Sequence, residues 1–212
     1  MPDDHGRFAL TQFAERLNWL YARDQAWTER VVIASIDREG QVRDAALAGF
    51  FSNPKVSGEL FLRLKPTLIR LATPEERPRR RSEAVLSDLF ITAWHAKNHE
   101  GMRYLGDEEL TKVVVHGSDA MRTQMFRHVG SWEIAEKLIL LRDVWPLHLA
   151  ARSAAVSSRL VALAFDDEEN FPAVADAVIP LLSPIENRGQ FMLSVAQDKQ
   201  QRIIARFPRK VL

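Results

Sequence analysis

The sequence predicts an all-α protein built of stacked antiparallel helical hairpins. Three observations predict it. Apolar residues recur at three- and four-residue spacing along most of the chain, and no stretch sustains the alternation of a half-buried strand. The periodic segments are joined by short turns rich in Gly, Pro, Asn and Asp. Helices joined so closely lie against their neighbours in order.

In chain order, Leu10, Phe13, Leu17 and Leu20 place one helix over residues 8 to 23, with Trp19 and Tyr21 beside the stripe. Residues 25 to 37 carry Trp27, Val31, Ile33 and Ile36. The Val31-Val32-Ile33 triplet alone reads as strand, but the flanking helix formers and the spacing favour helix. Gly40 is a stop, and Val42, Ala46, Gly49 and Phe50 align in the next helix, where Gly49 lets another backbone approach. After the Ser52-Asn53-Pro54 turn, Leu60, Leu64, Leu68 and Leu71 line a helix that Pro66 should kink or split. Residues 73 to 81, with two prolines and only charged or polar company, read as a linker. A wide stripe of Val85, Leu86, Leu89, Phe90, Ala93 and Trp94 follows over 82 to 97, then a glycine-punctuated loop over 98 to 106.

Asp107 is the expected cap of a short helix through Leu110, Val113 and Val114, and Ser118 or Asp119 starts the next, with Met121 and Met125. Ser131 and Trp132 should open a helix to Val144 carrying Ile134, Leu138 and Leu141. The stretch from Asp143 to Ile185 is the clearest hairpin. Val156, Leu160 and Leu163 form one stripe and Val174, Val178, Leu181 and Leu182 the other, and neither can be buried alone. Asn170 is the expected cap and Pro172 suits a first helical turn. A last helix, 188 to 206, carries Phe191, Val195 and Ile203-Ile204. One helical domain over 8 to 207 results, with possible lobes 8 to 72 and 82 to 207. Such hairpins, sharing an apolar pattern without fixed motif positions, read as a degenerate solenoid of the HEAT or armadillo kind.

Composition narrows function mainly by exclusion. The 212 residues are 46% hydrophobic and 27% charged, as in a globular domain rather than a disordered chain. A formal charge of +1 gives no overall electrostatic case for nucleic acid or an acidic membrane surface. The absence of cysteine removes disulfides, thiolate chemistry and Cys-ligated zinc, and fits the cytoplasm. No apolar run reaches membrane-spanning length.

Several residue groups invite chemistry and each has a duller explanation. His95 and His99, four apart with Glu100 beside them, have zinc-ligand spacing. Ala96 and Lys97 stand where a hydrolytic motif needs glutamate, so helix-end histidines in solvent are the expectation. Arg77, Arg79, Arg80 and Arg81 could grip phosphates, but Glu75, Glu76 and Glu83 surround them and no aromatic residue interleaves. Asp166-Asp167-Glu168-Glu169 lacks the alternation and central glycine of a calcium loop. His116 and His128, with Asp119 between, have no nucleophile elbow or phosphate loop nearby. Trp27, Trp94, Trp132 and Trp145 read as core fillers.

Gln25-Ala26-Trp27-Thr28-Glu29-Arg30, Ala48-Gly49-Phe50-Phe51, Leu64-Lys65-Pro66, Val144-Trp145-Pro146 and Asn170-Phe171-Pro172-Ala173-Val174 together resemble a bacterial helical domain of unknown function. That domain lies towards the C-terminus of large sirtuin-like proteins implicated in defence against phage, and the likeness spans about residues 10 to 190. The chain departs from the family at Lys137-Leu138-Ile139-Leu140-Leu141-Arg142, where an aromatic, arginine-rich stretch would be expected. The resemblance implies a module that accompanies an NAD-hydrolysing domain and carries none of its catalytic or NAD-binding positions. The expectation is therefore a non-enzymatic, cytoplasmic scaffold or sensor without cofactor or metal. Its partner would be a protein, either an adjoining effector domain or a phage component. The exposed members of 82 to 97 and the loop 98 to 106 are the expected face. A nucleic-acid-binding helical repeat using Arg77, Arg79, Arg80 and Arg81 is the alternative.

Overall fold

Most of the apolar stripes among the described residues become buried helix faces, with Phe13 and Ile204 left exposed. The structure, a computed structural model, describes residues 4–76, 78, 80–183 and 197–208, which are helical with no strand; Lys97 and Arg103 form one isolated bridge. The chain divides into two compact units, Met1–Leu71 with Ala96–Tyr104, and Ala72–His95 with Leu105–Leu212.

In the first unit, α1 (Asp4–Glu15) packs on α5 (Gln41–Ser52). Gly49 permits this: a Cβ there would meet the Thr11 carbonyl oxygen at 2.0 Å. Thr11 Oγ1 donates to the Ala45 carbonyl across the same contact. The helix expected over 8 to 23 breaks at Arg16, and α2 (Leu17–Arg23) begins afresh. At the break the Glu15 carbonyl accepts from Asn53 Nδ2 at 3.1 Å. A tertiary donor thus serves the end of α1. The next helix is continuous but not regular. α3 (Gln25–Thr28) passes through a π turn at Glu29–Ile33 into α4 (Ala34–Ile36), so the Val31-Val32-Ile33 triplet is helical, in its rarer wide form. α6 (Gly58–Leu71) runs through Pro66 as one helix, so the expected split does not occur. Pro66 and Leu62, whose carbonyl loses its helical donor, are both exposed, so water can reach the carbonyl.

In the second unit, α7 (Arg80–His95) ends two residues before the sequence suggests. α8 (Asp107–His116) is capped at Gly106 rather than Asp107; the Glu109 carboxylate accepts from the Gly106 N–H, and Asp107 Oδ1 instead accepts from Trp94 Nε1 at 2.7 Å. Ser118 caps α9 (Asp119–Val129) by accepting from the Met121 N–H. α10 (Ile134–Ile139) begins later than Ser131 and widens into a second π turn, Leu140–Val144. α11 (Ala154–Asp166), capped by Ser153, closes on α12 (Phe171–Val178) as the sequence requires. Asn170 does not cap α12 with its side chain; its Nδ2 donates to Asp167 instead. Of the last helix, α13 (Gln197–Arg206) is described, and Phe191 and Val195 lie outside the described residues. Within this unit α9 packs between α7 and α11, and α13 rests on α11. α8 meets α7 and the second π turn, and α12 meets α11, α10 and the second π turn.

Two buried cations are structural. Arg122 donates to the Val114 and Val115 carbonyls and pairs with Asp119 at 2.8 Å, satisfying the end of α8. Lys137 pairs with Asp167 at 2.9 Å, both largely removed from water.

The Gly49→Ala variant should lose about 1–3 kcal/mol, the range for overpacking a tight helix contact. Urea unfolding measures this as a lower midpoint at unchanged slope.

Candidate interaction surface

Among the described residues, the histidine and carboxylate candidates of the sequence do not assemble into one site. Arg77 and Arg79 lie outside the described residues, as does the side chain of Arg80, while Arg81 is exposed on the first turn of α7. His95 is the last residue of α7, so His99 is not on its helix. The His95 ring stacks on Trp132 at 4.2 Å, and His99 lies 3.8 Å from Glu100. No group of three His, Asp or Glu residues that could hold a metal occurs among the described residues. His128 Nε2 lies 2.9 Å from Asp88 Oδ1, which also accepts from Gln124. No side-chain hydroxyl bonds to that imidazole among the described residues. His116 is exposed.

The two perturbed polar clusters are likewise fixed in one charge state. Hydrogen bonds from Gln25 and Arg63, outweighing desolvation, hold the Glu29 carboxyl below its ordinary range. Burial, with the charges of Glu29 and Glu59, pushes the Tyr21 phenol above its own. Near neutral pH Glu29 stays ionised and Tyr21 protonated, which suits a tie between helices rather than proton transfer. Asp167 is pushed up by burial, but hydrogen bonds from Lys137 and Asn170 prevail and hold it below the usual carboxylate range.

The second unit presents a different feature at its Trp145-to-Arg152 turn. Trp145 is buried against Phe126, with ring centroids 4.4 Å apart. The Val144 carbonyl accepts from Thr111 Oγ1 at 2.8 Å, and the Trp145 N–H donates to Leu140 O at 2.7 Å, closing the π turn. At the other end Ala151 is fully buried, and Arg152 Nη2 donates to the Pro180 carbonyl at 2.9 Å. The turn is therefore pinned at both ends. Between them Leu147 and Leu149 are 60% and 76% exposed, and Ile179, one residue before Pro180, is 54% exposed. Scattered exposed leucines are ordinary. Here Leu149 and Ile179 stand on two 3-10 turns, Leu149–Ala151 and Ile179–Leu181, that the Arg152–Pro180 hydrogen bond links, and Leu147 lies two residues before the first. That is an apolar knob already in its final shape, so docking it costs little ordering entropy.

The expected face compares poorly with it. α7 buries Leu86, Phe90, Ile91, Ala93 and Trp94, leaving Arg81, Thr92 and His95 exposed, and the 98 to 106 loop presents Met102 as its exposed large apolar side chain. Of the four tryptophans read as core, Trp94 and Trp145 are buried and Trp27 and Trp132 half-buried. Trp19, which the sequence places beside the first apolar stripe, is 58% exposed. Periodicity could not have found the knob, because a leucine in a Pro-containing turn carries no helical phase. Compared with family models, curated proteins and solved structures, the chain matches none.

The Asp167→Asn variant should be less stable by about 2 kcal/mol at neutral pH, less than for a fully buried pair broken on one side. A depressed folded-state pKa contributes stability that is fully present above the unfolded value, about 3.9, and lost as pH falls through the lower folded value. Urea unfolding between neutral and acid pH should show wild type losing this increment and the variant lacking that part of the slope.

Proposed function

We propose that the chain is a non-enzymatic helical module that presents the Leu147, Leu149 and Ile179 knob to a protein partner. The observation that carries this reading is the pinning of an exposed apolar turn at both ends, by Trp145 and Thr111 on one side and Ala151 and Arg152 on the other. An ordered apolar protrusion of this kind suits the desolvated centre of an interface. The α7–α9–α11–α13 neighbour order and the α7–α8 and α11–α12 pairs support a HEAT-like stack of hairpins in this unit. No described helix is long and apolar enough to cross a membrane. The module acts in the cytoplasm as the scaffold or sensor part of a larger sirtuin-like anti-phage protein. The support for that context is the sequence resemblance, whose Val144-Trp145-Pro146 element is the base of the knob. The partner is the adjoining effector domain or a phage component.

The test is retention of partners from lysates of phage-infected and uninfected bacteria by immobilised wild type and by the Leu147→Asp/Leu149→Asp double variant. A protein held by wild type and lost by the variant is expected, with thermal unfolding unchanged because both side chains already face water. Equal retention by the two proteins would remove the knob from the account.

A further inference from the structure

The first unit carries a second surface, independent of the apolar knob. Arg16, Trp19 and Arg23 fall three and four residues apart, on one side of α2 and the residue that precedes it. Trp19 keeps 58% of its surface in solvent although the Arg23 guanidinium lies over its ring, 5.9 Å from the centroid. Beside the indole is a pocket of about 150 Å³ lined by Glu15, Arg16, Asn18, Trp19, Asn53 and Lys55. That is below the roughly 300 Å³ at which drug-sized sites begin and suits one planar group. Among the described residues no carboxylate pairs with Arg16, Arg23 or Lys55. Arg16 and Lys55 thus line the pocket with one carboxylate, that of Glu15, and Arg23 adds a third cation over the exposed indole.

The two asparagines make the pocket more selective than a basic patch. Asn18 Oδ1 accepts from the Ser57 N–H at 2.7 Å, which fixes the amide orientation and leaves its NH2 group without a partner among the described residues. Asn53 Nδ2 donates to the Glu15 carbonyl at 3.1 Å, which leaves its Oδ1 as an open acceptor. A donor and an acceptor therefore line the pocket beside a stacking platform, and the surrounding charge is positive. A nucleobase has the complementary parts: a π face, a mixed donor–acceptor edge, and phosphates on either side. An acidic peptide would use the cations and leave the indole and the paired amides without a role.

We infer that this face binds single-stranded nucleic acid, with one base stacked on Trp19 and its edge on Asn18 and Asn53. Arg16, Arg23 and Lys55 take the neighbouring phosphates. A duplex keeps its bases stacked on each other, so it cannot offer that face.

The experiment is fluorescence anisotropy of a labelled 12-nucleotide single strand titrated with the full chain at several salt concentrations. Wild type should bind at low salt. Trp19→Ala should weaken binding roughly ten-fold or more, the effect of losing one stacked base. Lys55→Gln and Arg16→Gln should each reduce the magnitude of the log–log salt slope by about 0.7, the value for one phosphate contact on a single strand. All three residues are outside the apolar core, so circular dichroism should be unchanged. No binding at low salt, or an affinity that Trp19→Ala leaves unchanged, would overturn the assignment. So would equal competition by duplex, by poly-glutamate or by a nucleoside monophosphate at matched nucleotide concentration.

Discussion

The structure depends on one constraint: each helix has an apolar side too wide to expose and too narrow to bury alone. The stripe of α6, with Leu60, Phe61, Leu64, Leu68 and Leu71 all buried, and that of α7, with Leu86, Phe90, Ile91 and Trp94, show the scale of what must be covered. Covering it draws helices close enough that main-chain atoms meet. At Gly49 the approach leaves no room even for a methyl group. Close packing of short helices then creates a second demand, because every helix end leaves carbonyls without donors.

That second demand is met largely by side chains from elsewhere in the same unit. Asn53, Thr111, Arg122, Arg152 and Lys199 each donate to a carbonyl at or near the end of another element. The Lys137–Asp167–Asn170 cluster does related work at the α11–α12 turn. These bonds add specificity to a core whose apolar contacts alone would tolerate sliding. They also account for the exposed features: the Trp145-to-Arg152 turn projects because both its ends are tied down, and the asparagines beside Trp19 are oriented because each already serves the backbone.

Much of the helix pattern was legible in the residues, since Val156, Leu160 and Leu163, or Leu60, Leu64 and Leu68, have a phase that only a helix satisfies. Gly49 was legible for the same reason, as a small residue on an apolar face. What was not legible depends on tertiary donors. Nothing local says that Asn53 will end α1 at Glu15, that Asn170 will turn from capping to serve Asp167, or that Pro66 will sit where water can replace its hydrogen bond. The two π turns escape periodicity because one extra residue shifts the phase without erasing it. The candidate surfaces were hidden for the opposite reason. Leu147, Leu149 and Trp19 look like core residues by type, and only the packing shows that nothing in their own unit covers them.

Amide hydrogen exchange of the isolated chain tests the central claim most directly. If mutual burial of the stripes holds the helices, amides of Leu60–Leu71, Leu86–Trp94 and Val156–Phe165 exchange slowest and together, while those of Leu147–Ala150 exchange fast. Uniformly fast exchange across all four segments would mean that the stripes do not shield one another, and would contradict the account.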